Sequence, residues 1–437
     1  MFGAQKKKAW VVAADMGYGH LRAALPFQDI ARGGKIIAAN DYPGIPEQDK
    51  KIWGDSRRFY ETISRFKKFP VLGDFVFAFF DKFQEIKEFY QNNESIDAPT
   101  LQLRQVYRLF EKKRWGEHCI SRLNKNPLPL VATFFIPAHM AEFWKYEGPI
   151  YLVVTDTDVS RAWAPLHPNK SKIIYCASTQ RAASRLLRYG VREENIVITG
   201  FPLPQEFTKN NAAKTKNDLR RRLAVLDPEG AYHSRYGKLV EQYIGSVQSP
   251  TLNRGKAGFH RVVLTFAIGG AGAQAELAKD IMEGAKSLLE EKKFEFHVIA
   301  GTHREIAADL RKRSCLESRR AGKNVFVHSS PSKKKYFKDF SKILSKTDIL
   351  WTKPSELVFY AGLGIPIIIA PPIGSQEVSN RRWLLDIGAG IDQKKPELLY
   401  QWLPDLIRQG ALAEAAMQGF VEIPKDGTGT IKKILCG

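Results

Sequence analysis

The chain has 437 residues, 44% hydrophobic and 26% charged, with 67 lysines and arginines against 46 acids and a formal net charge of +21. That length exceeds one ordinary core, so two domains are expected, and the apolar content excludes a disordered chain. The best apolar run, Val71–Phe80, is broken by Gly73 and Asp74 and falls short of the about 18 residues of a spanning helix. The predicted elements open with a strand, Ala9–Ala14, then a turn, Asp15–Gly19, and a helix beginning near His20. The short apolar run after the basic start reads as this first strand and not as a signal peptide. Between Tyr42 and Lys113 lies an insertion dense in Phe, Tyr, Lys and Arg. Strand signals recur at Leu130–Phe135, Ile150–Val154, Lys172–Cys176 and Ile196–Thr199, with a helix over Thr179–Tyr189. Strands alternating with helices predict a doubly wound parallel sheet.

From Phe207 to Arg261 the chain is polar and basic, with Arg220, Arg221 and Arg222 in a row. This reads as an interdomain connection carrying a helix or two. A second series follows: strand Val262–Phe266, a glycine turn at Gly269–Gly272, helix Ala275–Leu289, strand Phe296–Ala300, helix Arg304–Arg313, and strands Val325–His328 and Ile349–Trp351. The expected organisation is an N-terminal domain, 1–206, with the insertion at about 42–125, a basic linker or insertion, 207–260, and a C-terminal domain, 261–437, that includes the C-terminal helices. Two doubly wound domains facing a ligand cleft are the expected α/β architecture.

The segment Thr352–Asn380 predicts a loop (Thr352–Ser355), a short helix and a buried strand, Ile365–Ala370. A Pro/Gly loop presenting Ser375, Gln376, Glu377 and Asn380 follows. The apolar run predicts a strand covered on both faces, and ligands of such sheets sit beyond the carboxyl ends of the strands. Both glycine turns couple a strand to a helix N-terminus, where backbone N–H groups and the helix dipole favour an anion. Ile268–Glu276 is the better phosphate candidate because nothing acidic intervenes. The first turn ends in His20, and an imidazole at a helix N-terminus is suited to serve as a neutral general base. Asp156 and Asp158 follow a strand and position an acceptor hydroxyl, bind a cation, or cap the loop. Two carboxylates alone make a poor metal cage, and no metal site is expected. Cys119, Cys176, Cys315 and Cys436 are widely separated, so a reducing compartment is expected.

Several segments together resemble the family 28 glycosyltransferases of GT-B fold, in particular monogalactosyldiacylglycerol synthases and diacylglycerol glucosyltransferases. They are ADMGYGHLRAA, the central stretch from VTDTDVSRAWAPLHP to ITGFPLPQEF, LTFAIGGAGAQAE, FHVIAGTHRE, and the segment Thr352–Asn380 with its Lys-Pro and Gln-Glu-x-x-Asn. The resemblance implies inverting transfer of a sugar from a nucleotide diphosphate sugar, UDP-sugar foremost, without a tightly bound cofactor. It implies His20 and Asp156 as the catalytic residues, and Gly17, Gly19, Arg161 and His167 on the acceptor side. It implies a donor set of Gly269, Gly270, Ala271, Gly272, Thr302, Lys353, Ser355, Glu356, Gln376, Glu377 and Asn380. Within that set Gly269, Gly270 and Ala271 meet the diphosphate, Gln376 and Glu377 address sugar hydroxyls, and Asn380 supports their loop. Two departures stand out. The loop after Lys353-Pro354 is about two residues short, leaving Phe359 where the family has a ribose-binding glutamate, and Glu356 is expected to take over that contact. Arg161 stands where the family often has a histidine.

The implied acceptor is a lipid such as diacylglycerol, met at an anionic membrane face by a cytoplasmic, peripherally attached protein. The stretch 59–89 alternates aromatic and basic residues near helical spacing, as a helix pair lying in a lipid interface does. Packing of those aromatics as ordinary core is the competing reading. A nucleotide-sugar epimerase or hydrolase of the same fold, and an inactive nucleotide-binding homologue, are the alternatives to transfer. Nucleic acid is not an expected partner, since no recognised module accompanies the charge.

Overall fold

The structure, a computed structural model, describes residues 8–66, 86, 96–207, 212–246, 261–270, 272–321 and 324–436. The chain forms two compact units. The first comprises 1–209, 373–380 and 424–437, and the second 210–372 and 381–423.

The first unit holds strands β1 (Trp10–Ala13), β2 (Ile37–Ala38), β3 (Leu130–Ala132), β4 (Ile150–Val153), β5 (Ile174–Ala177) and β6 (Ile196–Ile198). They form one parallel sheet in the order β2-β1-β3-β4-β5-β6. Its side chains alternate between two cores: Val12, Ala132, Leu152 and Tyr175 enter one, and Val11, Ala13, Val131, Val153 and Cys176 the other. Strands buried on both faces read as continuous apolar runs, which is why they are visible in the sequence. The second unit holds β7 (Val262–Ala267), β8 (Phe294–Ile299), β9 (Val325–His328), β10 (Ile349–Thr352), β11 (Ile367–Ile369) and β12 (Gly390–Asp392), parallel in the order β12-β11-β10-β7-β8-β9. Two six-stranded parallel sheets with flanking helices are the paired Rossmann-like pattern of a GT-B chain.

Three expectations are corrected. The segment after Phe207 is not a connection: helices Ala212–Leu226 and His233–Ile244 bury Leu219, Leu223, Leu226, Val240 and Ile244 in the core of the second unit. The arginine run is structural as well. Arg222 is buried and donates to the carbonyls of Thr347 and Leu363, while Arg221 pairs with buried Asp348. The C-terminal helix, Gly427–Cys436, belongs to the first unit, where Ile431 and Leu435 join the core beside Val11 and Phe27. Beyond the helix Glu47–Phe66, most of the aromatic and basic stretch 59–89 lies outside the described residues. Among the described residues no helix is long and apolar enough to cross a membrane.

Candidate active site

The first glycine turn follows β1 and leads into the helix Gly19–Ala24. Asn40 clamps the turn at Asp15, accepting from its N–H at 2.8 Å and donating to its carbonyl at 3.1 Å. His20, half-buried, faces the carboxyl ends of β3 and β4. Its Nδ1 lies 2.8 Å from the carbonyl of Thr133 and 3.4 Å from Thr155 Oγ1, and Thr133 Oγ1 donates to the His20 carbonyl at 2.8 Å. A carbonyl only accepts, so the proton sits on Nδ1 and the neutral ring carries its lone pair on Nε2. Phe134 packs against the imidazole, with ring centroids 4.5 Å apart. The ring is thereby held in one tautomer, the arrangement a general base requires. Gly17 has open space where a Cβ would stand, so no packing demands its missing side chain.

Asp156 follows β4 next to Thr155 and is half-buried. Asn380 holds this corner. Its Oδ1 accepts from Thr157 N at 2.9 Å and Thr157 Oγ1 at 2.8 Å, and its Nδ2 donates to Asp156 Oδ1 at 3.2 Å. The structure therefore brings Asn380, expected with the donor, to Asp156. Asp158 does not join Asp156: it is buried and paired with Arg185 at 2.9 Å, a structural ion pair. Arg161 is likewise an internal brace. Buried, it donates to the carbonyls of Asp97, Ala164 and Pro165, and burial lowers its guanidinium pKa. Its five donors suit this bracing. His167 is exposed and precedes the turn Pro168–Lys170.

Ser375, Gln376, Glu377 and Asn380 do not sit in a loop but in the first turns of the helix Ser375–Asp386. Pro371 and Pro372 end the extended run, and Glu377 in the first turn favours the helix dipole. Glu377 is only 3% exposed, and its carboxylate accepts from the N–H of Ile373 at 2.8 Å. Gln376 lies against Gly374, where a Cβ would stand 3.1 Å from its Oε1. That oxygen is buried without a partner. These residues group with the first unit.

In the second unit, β7 leads into Gly269, Gly270 and Gly272, while Ala271 lies outside the described residues. Gly269 has φ +85°, a backbone region that favours glycine, and a Cβ there would stand 3.2 Å from the Lys353 side chain. The lysine stem thus covers the turn. His303, a residue the sequence did not single out, donates from Nε2 to the Gly270 carbonyl at 2.9 Å. Thr302 precedes it and follows Gly301, beyond β8. Ser355 donates its N–H to the Lys353 carbonyl at 2.8 Å. Glu356 opens a 3₁₀ helix, Glu356–Leu363, in which residues three apart eclipse. Phe359 is therefore on the face of Glu356, but fully buried against Trp383. Among the described residues no group of three or more His, Cys, Asp or Glu is gathered as metal ligands would be.

The chain is 22% identical over 307 residues to the processive diacylglycerol beta-glucosyltransferase of Bacillus subtilis, covering 69% of this chain and 65% of that protein. It is 21% identical over 424 residues to the enzyme of the same name from Bacillus pumilus, covering 94% and 90%. The chain is thus similar to diacylglycerol glucosyltransferases. It matches just under two thirds of the length of the B. subtilis relative. No protein-family model matches the chain. Among solved structures, MurG of Acinetobacter baumannii superposes with a TM-score of 0.44 at 13% identity, covering 76% of each chain. The UDP-GlcNAc 2-epimerase of Methanocaldococcus jannaschii, in complex with UDP-GlcNAc and UDP, gives 0.43 at 12%, covering 99% and 100%. The missed residues Thr133 and Thr155 each stand just past a parallel strand, the position from which such sheets present ligand-facing groups.

Proposed function

We propose that this glycosyltransferase relative is an inverting hexosyltransferase that moves a sugar from a nucleotide diphosphate sugar, of the UDP-sugar class, to the hydroxyl of a membrane lipid such as diacylglycerol. The observation that carries this reading is the orientation of His20 by Thr133, with Asp156 on the same sheet edge. His20 Nε2 takes the proton of the acceptor hydroxyl as its oxygen attacks the anomeric carbon. The anomeric C–O bond breaks on the opposite face, and its electron pair leaves with the nucleotide diphosphate. Asp156 orients the acceptor hydroxyl, and Asn380 fixes Asp156. Backbone N–H groups at the helix Ala275–Gly284 and the cation of Lys353 receive the charge that develops on the diphosphate. Gln376 and Glu377 remain the candidates for the sugar, and Glu356 for the ribose in place of the buried Phe359. Glu356→Gln is expected to raise the donor KM severalfold with the fold intact, and an unchanged KM rejects that role.

The lipid acceptor is supported by the names of the curated relatives and by the chain's positive charge. The test is release of UDP from UDP-glucose by the purified chain, with and without diacylglycerol vesicles. Release that requires the vesicles, with a glycolipid product, supports transfer. Release or sugar conversion without an acceptor favours a hydrolase or epimerase, and no nucleotide-sugar binding at all rejects a donor site.

A further inference from the structure

We propose that Gln274 reads a hydroxyl group of the nucleotide-sugar donor, its Oε1 accepting a hydrogen bond from a ribose or hexose hydroxyl. This rests on the functional reading above and gives a role to a residue outside the donor set implied by the resemblance. Gln274 is the last residue before the helix Ala275–Gly284 and is only 8% exposed. Its Nε2 donates to the carbonyl of Pro371 at 3.3 Å. That contact settles which end of the amide is nitrogen, because a carbonyl can only accept. In the sheet, β10 lies between β7 and β11. A side chain that starts in the turn after β7 and bonds Pro371, beyond β11, therefore passes over the carboxyl end of β10. Thr352, 0% exposed, is the last residue of β10. Both Gln274 Oε1 and Thr352 Oγ1 are buried without a hydrogen-bond partner. Buried polar atoms are almost always satisfied, so two orphans at one sheet edge call for an explanation.

The chemistry of the orphan selects the ligand group. An amide oxygen accepts only, and so do the oxygens of an ionised diphosphate, so phosphate cannot satisfy Gln274 Oε1. A sugar hydroxyl can. Beside it stand the features that suit the anion: Gly269 in a left-handed conformation, the Lys353 stem, and a ten-residue helix presenting its N-terminus. An anion seat next to a buried acceptor fits a phosphorylated sugar better than either a free phosphate or a free sugar. Sites built around hydrogen bonds to substrate hydroxyls discriminate sharply against analogues lacking them.

The experiment is calorimetric titration of the full chain and of Gln274→Met, which keeps side-chain length and removes the acceptor. The probes are UDP-glucose, UDP, 2′-deoxy-UDP and UDP-2-deoxyglucose. Gln274→Met is expected to weaken UDP-glucose about tenfold. The analogue lacking the recognised hydroxyl should bind the wild type and the variant within about twofold of one another, since its contact is already absent. Escape by 2′-deoxy-UDP while UDP is still weakened assigns the ribose, and escape by UDP together with 2′-deoxy-UDP assigns the hexose, its 2-hydroxyl if UDP-2-deoxyglucose escapes too. Equal losses for all four probes, or no loss for any, overturn the assignment. Thr352→Val provides a second variant should Gln274→Met not fold, with the same expected selectivity at a smaller amplitude. Wild-type protein that binds no probe overturns the donor reading itself, whereas wild-type binding with unselective variants overturns only the role of Gln274.

Discussion

The carboxyl edges of the two sheets use their polar residues differently. Around His20 the protein pairs its own groups: the Thr133 carbonyl accepts from the imidazole Nδ1–H, Asn380 accepts from Thr157 twice and holds Asp156, and Arg185 neutralises Asp158. Around Gly269 the protein leaves buried polar atoms open, at Gln274 and Thr352, while the Lys353 stem and His303 lie against the turn. A cluster satisfied internally has fixed geometry, which general-base chemistry needs. A cluster with orphaned groups bears a cost in stability that a bound ligand can relieve. Mutations around His20 should therefore act on turnover, and those around Gly269 on donor affinity.

The largest expected effect is that of His20→Ala: a fall in kcat of about 10² to 10⁴-fold, with donor affinity by calorimetry unchanged. A matching loss of donor affinity would erase the contrast between the edges. Asn380→Ala should follow. It strands the buried Thr157 N–H and hydroxyl, costing about 2–4 kcal/mol in urea unfolding, and it lowers kcat by freeing Asp156. Stability lost without any effect on kcat would make Asn380 a brace and nothing more. Arg161→Met is expected to cost about 2–3 kcal/mol by leaving buried carbonyls unpaired. Its acceptor KM should stay unchanged, and a raised KM would return Arg161 to the acceptor site. Gly269→Ala imposes a left-handed alanine and crowds Lys353, a strain of about 1–2 kcal/mol that should appear mainly as a raised donor KM.

A pH dependence is expected in each unit separately. Burial lowers the pKa of His139 in the first unit to about 3. In the second, burial, the neighbouring His297 and Arg311 lower that of His328 to about 4. Both rings are neutral when folded but take up protons near pH 6.5 when unfolded. Their contribution is neutral above that pH, and stability falls as pH drops from about 6.5 towards 4. Urea unfolding at pH 7, 5.5 and 4.5 should show this slope, and His328→Asn should flatten it. An unchanged slope in that variant would mean that His328 is protonated in the folded state.

Much of the fold was legible because parallel strands buried on both faces must be apolar throughout. β9 was expected over the same residues the structure shows, and β1, β4 and β7 within one residue at each end. The two-residue β2 and the three-residue β12, with its glycine, offered too little pattern to read. Polar segments misled for the opposite reason. The arginine row at 220–222 has the composition of a solvated patch, and only the carbonyls of Thr347 and Leu363 and the carboxylate of Asp348, far away in sequence, turn it inward. Asp158 and Arg161 were ambiguous in the same way, because a charged residue after a strand reads alike whether it meets a ligand or a buried partner.

By itself, the sequence determined the class of fold, the two glycine turns and the histidine at the head of a helix, since each depends on neighbours along the chain. Which polar residues meet, and which remain unsatisfied, was decided only by tertiary structure. Asn380 reaches Asp156 across more than two hundred residues, and Gln274 reaches Pro371 over the end of another strand. The physical reason is that a hydrogen bond depends on distance and direction in space, which local pattern does not encode, whereas burial of a strand is written into every residue it contains.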